Sequence, residues 1–88
     1  MKLKGNFVLR QIMGETIVIP VGDAMLNING MICLNEVGEL IFRGLQAEES
    51  REQILDEILQ NFDVTYEEAA ADLDDFLRRF CEIGLLEQ

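Results

Sequence analysis

The chain has no histidine, no tryptophan, a single proline, two cysteines and only seven basic residues against seventeen acidic ones. Each shortage removes a class of function. Without histidine the usual nucleophile triads are missing, and so is the commonest metal ligand. Cys33 and Cys81 are too few for a disulfide framework, and their separation fits no zinc-ligand spacing. They read as half-buried, reduced thiols of a cytosolic protein. No run approaches the ~20 apolar residues of a membrane span. Met1-Lys2-Leu3-Lys4 leads into Gly5-Asn6 rather than an apolar stretch, so no signal peptide is expected. The expectation is a soluble, cytoplasmic protein with no metal and no cofactor.

Basic charge is scarce and unevenly placed. The formal net charge is −10. In residues 1–35, Lys2, Lys4 and Arg10 outnumber Glu15 and Asp23, whereas residues 36–88 hold four basic and fifteen acidic side chains. Such a field repels phosphate backbones and anionic lipid, so neither nucleic acid nor membrane is an expected partner. Chemistry is equally thin. Glu48-Glu49, Glu67-Glu68 and Asp74-Asp75 are neighbours in sequence. On a helix, consecutive residues point about 100° apart, so these pairs read as solvated faces rather than acid–base dyads. Asp72-x-Asp74 lacks the rest of a calcium loop, and the seven glycines form no phosphate-cradling run. Ser50 is the only serine and sits in Glu49-Ser50-Arg51, which is not the Asp-Ser-Leu-like site of an acyl carrier. The protein is not expected to be an enzyme.

What the sequence does contain is a sharp change of period. Eighty-eight residues with 49% hydrophobic content make one globular domain, residues 1–88, burying roughly 60–65% of its unfolded surface. Phe7–Ile12 and Glu15–Pro20 read as strands, with Gly14 as the turn between them and Pro20 as an end or edge. Ala24–Ile28 is extended again. Asn29-Gly30 is the strongest short hairpin signal, and it pairs Ile28 with Met31, Asn27 with Ile32, Leu26 with Cys33 and Met25 with Leu34. At Asn35, a good N-cap, the apolar spacing changes from two to three-and-four. A first helix over about 36–45 presents Val37, Leu40, Ile41 and Leu45. Ser50-Arg51-Glu52-Gln53 and Thr65-Tyr66-Glu67-Glu68 are capping boxes opening helices over about 51–62 and 66–83, with Gly84 as the left-handed stop. Leu85-Leu86 folds back as an apolar tail. The fold class is α+β: an N-terminal three-stranded antiparallel sheet, about 7–34, followed by a three-helix bundle, in a winged-helix-like order.

The third helix carries apolar residues from Tyr66 to Ile83 over an arc of roughly 160°, wider than one core requires. It is either central, packing on both other helices and the sheet, or it leaves one margin around Ala70, Phe76 or Leu77 lining an open groove. Asp74 to Arg78 and Asp75 to Arg79 have the acid-first i,i+4 spacing of ordinary helix ion pairs. A winged-helix order makes a DNA-binding regulator the alternative reading, with the third helix as reader. That helix sets Glu67, Glu68, Asp72, Asp74 and Asp75 against Arg78 and Arg79, which is the wrong balance for a DNA groove.

Pro20-Val21-Gly22, Met31-Ile32-Cys33-Leu34-Asn35-Glu36-Val37-Gly38, Ile41 and the closing Gly84-Leu85-Leu86 together resemble the PqqD-like family, over about Phe7 to Leu86. These are the recognition elements of ribosomally made, post-translationally modified peptide pathways. The resemblance implies a non-catalytic domain that captures the leader segment of a precursor peptide and presents it to a modifying enzyme. In pyrroloquinoline quinone biosynthesis that enzyme is a radical S-adenosylmethionine protein. It also implies capture as an added strand on the third strand, in a groove against the third helix. Here that assigns backbone pairing to Met31, Ile32, Cys33 and Leu34, and a pocket to Ala70, Leu73, Phe76 and Leu77, of which Leu73 and Phe76 serve equally well as core. The longer Gly22–Gly30 insert departs from quinone-pathway members, leaving a different modified peptide equally compatible. An unprotected strand edge allows a monomer or a strand-paired dimer.

Overall fold

The computed structural model describes residues 2–21 and 32–87. The elements run β1 (Lys2–Leu3), β2 (Asn6–Ile12), β3 (Glu15–Val21), β4 (Ile32–Leu34), α1 (Glu36–Gln46), α2 (Arg51–Asn61), α3 (Tyr66–Glu82) and β5 (Leu86–Glu87). The expected α+β order of a three-stranded antiparallel sheet and three helices is what forms, and a small second sheet is added to it. Strands β2, β3 and β4 lie in that order. The β2–β3 hairpin closes with Ile12 opposite Glu15, and both loop residues, Met13 and Gly14, have positive φ. That is the two-residue primed turn whose twist suits a hairpin. Strand β4 returns against β3, placing Leu34 opposite Thr16, Cys33 opposite Ile17 and Ile32 opposite Val18. The Asn29-Gly30 turn, the 24–28 segment, Met31 and the pairings expected across that turn lie outside the described residues.

Alternation divides the sheet. Phe7, Leu9, Val18, Ile32 and Leu34 point into the core with Thr16, while Val8, Ile12 and Val21 stay exposed on the other face. The helices close over the core face. Asn35 caps α1 by accepting the Gly38 amide at 2.7 Å, and the capping boxes at Ser50 and Thr65 both form. α3 ends in a Schellman motif: Gly84 at φ +80° sends its amide to the Cys81 carbonyl, and the Leu85 amide reaches the Phe80 carbonyl at 2.9 Å.

The buried stripe of α1 differs from expectation. Phe42 is fully buried and central, with Gly38, Ile41, Gly44 and Leu45, while Val37 and Leu40 sit at the margin. Close approach accounts for one side of it. A side chain at Gly44 would begin 2.7 Å from Ile54 Cγ1, so the glycine lets α2 press against α1 on one margin of the buried stripe, while Phe42 fills the other margin, about 160° away around the helix. Phe42 then links layers, edge-on to Phe7 of the sheet at 5.8 Å and to Phe80 of α3 at 5.9 Å. The apolar tail becomes β5, paired with the unexpected β1 through Leu3 and Leu86, and this clasp buries Leu85 and Leu86. β1 is too short to show any period of its own.

Candidate functional site

β4 follows β3 in the sheet order and has no further strand beyond it among the described residues. An edge strand keeps a row of unused N–H and C=O groups. Only Asn35 separates β4 from α1, so the first turn of α1 lies against the end of this edge. On the other side stands α3. The space between is an open groove of about 200 Å³ lined by Asn35, Val37, Gly38 and Ile41 from the α1 side and by Asp72, Asp75, Phe76 and Arg79 from α3. The four α3 residues are spaced i, i+3, i+4 and i+7, which is one flank of a helix.

The floor is set by two features. Phe76 stacks on Phe80 with centroids 4.2 Å apart, which fixes the plane of its ring. Gly38 presents no side chain beneath it: a Cβ there would meet Phe76 Cε2 and Leu34 Cβ, each at 3.5 Å, and Asn35 Oδ1 at 3.1 Å. The glycine therefore brings Leu34 of the edge strand, the helix cap and the Phe76 ring together at one point.

Of the residues assigned from sequence, Ile32 is half-buried on the core face, Cys33 is exposed on the opposite face, and Leu34 is buried. Met31 lies outside the described residues. On α3, Phe76 lines the groove. Leu73 is fully buried in the core, Leu77 is buried there too at 8% exposure, and Ala70 packs against them half-buried. None of these three lines the groove between α1 and α3. The wide apolar arc of α3 is thus mostly core: Tyr66 and Ile83 at its ends are more than half exposed, and of its apolar residues Phe76, itself buried at 5% exposure, is the one that also lines the groove. Asp72, Asp75, Arg79 and the opening turn of α1 were missed. The signal for them was present, because any helix flank anchored at Phe76 must carry positions 72, 75 and 79 with it.

Charge around the groove is also rearranged relative to expectation. Asp74 does not pair with Arg78; it takes Arg51 of α2 in a two-pronged contact at 2.8 and 2.9 Å. Its hydrogen bonds from Arg51 hold the Asp74 carboxyl below its ordinary range. Asp75 pairs with Arg78 instead of Arg79. Behind β4, the buried Thr16 hydroxyl donates to Glu39, and that bond, followed by Arg43, lowers the Glu39 carboxyl. This ties the sheet to α1 just where the groove begins. Among the described residues no three histidine, cysteine or acidic side chains are placed to hold a metal, and no helix is long and apolar enough to cross a membrane.

Comparison with known proteins agrees with this geometry. The family model of coenzyme PQQ synthesis protein D (PqqD) matches residues 22–86. A solved structure, that of TbiB1 in complex with the TbiA(beta) leader peptide, superposes with a TM-score of 0.78 at 29% identity, covering 99% of this chain and 95% of that one. No curated protein matches. With most of its length matched by one family model, and with the sheet and three helices arranged as in that neighbour, the chain belongs to the PqqD family.

Proposed function

We propose that this protein is a non-catalytic peptide carrier that captures the leader segment of a ribosomally made precursor and delivers it to a modifying enzyme, a radical S-adenosylmethionine protein. The leader adds as a strand to β4 and lays a side chain over Phe76. The observation that carries this reading is the joining of a strand edge, unpaired among the described residues, to a groove with a fixed aromatic floor. Strand addition takes its affinity from main-chain hydrogen bonds and its specificity from the pockets beside them. The TbiB1 neighbour, held with a leader peptide, supports the same reading. Within the assigned stretch Met31, Ile32, Cys33 and Leu34 the backbone groups of Cys33 make the pairing, since those of Ile32 and Leu34 turn toward β3, and Phe76 shapes the pocket. Ala70, Leu73 and Leu77 act by holding Phe76 and the helix in place. The DNA-binding alternative is disfavoured by the exposed acids Glu67, Glu68, Asp72, Asp74 and Asp75 along α3.

The test is titration of isotope-labelled protein with the short peptides encoded beside its gene. Shifts should concentrate in Ile32–Leu34 and on the Phe76 flank of α3 at micromolar peptide. Cys33→Pro removes the backbone donor that faces the open edge and should abolish those shifts while circular dichroism still shows the folded protein. Absence of shifts with every neighbouring peptide, together with retention on duplex DNA at physiological salt, would sink the proposal.

A further inference from the structure

Four arginines lie in the helical half of the chain, amid fifteen carboxylates. Arg43 is paired with Glu39, Arg51 with Asp74 and Arg78 with Asp75. Arg79 has no ion pair among the described residues, although Asp75 stands one helical turn before it. Among the described residues it is also the only basic side chain lining the groove between α1 and α3. Local pairing leaves this guanidinium unused because Asp75 is taken by Arg78, and Asp74, which would otherwise take Arg78, is taken by α2.

From this placement we propose that Arg79 reads an acidic side chain on the captured peptide, two positions along from the residue that covers Phe76 and on the same face of the added strand, and so decides which precursor is accepted. The inference rests on the peptide-capture reading above. Arg79 stands on the turn that follows Phe76, so a strand lying over the ring passes within reach of the guanidinium. Arginine offers a planar fork that matches a carboxylate, and closing the groove over the pair strengthens it. Asp72 stands two turns back, about 10 Å along the helix, and repels an acid at that end. The peptide is thereby read in one direction. The protein's overall negative charge does not oppose this, since at physiological salt the Debye length is about 8 Å and only nearby charges are felt.

The probe is a displayed library of random peptides long enough to span β4 and the groove, selected on the wild-type protein and on Arg79→Gln. Wild type should enrich peptides carrying Asp or Glu at a fixed offset from an apolar residue, and Arg79→Gln should not. The best acidic peptide should bind Arg79→Gln about tenfold more weakly, with Arg79→Lys recovering part of the loss. Asp74→Asn, on the far flank, should leave affinity unchanged. Peptides that shift the Ile32–Leu34 resonances but show no acidic preference, or the same preference on both proteins, overturn the assignment of Arg79 alone. A library from which nothing binds at that edge overturns the peptide-capture reading with it.

Discussion

Glu49 and Glu57, eight residues apart, meet where α1 passes into α2. The chain reverses at Glu48, whose φ is +58°, and the Glu49 amide bonds back to the Gly44 carbonyl at 2.9 Å. That closure turns Glu49 inward. Its Oε1 is buried without a hydrogen-bond partner among the described residues, and the side chain crowds Glu57. Burial, then the hydrogen bond and charge of Glu49, push the Glu57 carboxyl above its ordinary range. So Glu49 is not the solvated residue that its place beside Glu48 suggested. A carboxyl raised in the folded state favours folding fully below its unfolded value, and that advantage is lost as pH rises through the folded value. Near neutral pH the pair therefore weakens the fold. Glu57→Gln should melt higher than wild type near neutral pH, with the gap closing in acid; a lower melting temperature at neutral pH would contradict this. Glu39, Glu68 and Asp74 run the other way, being lowered by their hydrogen-bonding partners. Their contribution is present at neutral pH and fades as pH falls through those depressed values.

At the scale of elements, the decisive position is Gly44. Glycine inside a helix costs about 1 kcal/mol relative to alanine, so intrinsic preference alone favours Gly44→Ala. The structure reverses that expectation, because the new methyl would sit 2.7 Å from Ile54 Cγ1 and 2.9 Å from Glu49 Oε1. Ile54 is fully buried and its Cγ1 is the base of its side chain, not a free end. Gly44→Ala should lower stability by about 1–2 kcal/mol net in a denaturant titration, the overpacking cost exceeding the helix gain. An unchanged or raised midpoint would mean that α2 shifts freely to admit the methyl.

At the scale of the whole molecule, charge and edges act together. The helical half carries the negative excess, while the sheet half is close to neutral and exposes Val8, Ile12 and Val21. Mutual repulsion between copies opposes edge-to-edge pairing at neutral pH. As pH falls into the carboxylate range that repulsion disappears, and β2 and β4 remain as edges among the described residues. Light scattering should show one small species at neutral pH and association on acidification, before circular dichroism reports unfolding. Loss of structure ahead of association would show that unfolding, not edge pairing, drives it.

Local rules settled much of this protein from its sequence. The caps at Asn35, Ser50 and Thr65, the stop at Gly84 and the two- and four-residue periods each depend on neighbours within one turn of chain, so composition and spacing suffice to read them. The acidic α3 and the Leu34-Asn35-Glu36 junction were legible for the same reason. Tertiary structure decided what depends on a partner far along the chain. Asp74 turned to Arg51 rather than Arg78 because α2 brought a second guanidinium within 2.8 Å, and this left Arg79 to the groove. Leu73, Phe76 and Leu77 all became core, and of the expected pocket residues Phe76 alone also lines the groove between α1 and α3. An apolar side chain on a broad helical arc has the same sequence signature whether it meets a core or a ligand. Only the packing of the other elements divides that arc between the two.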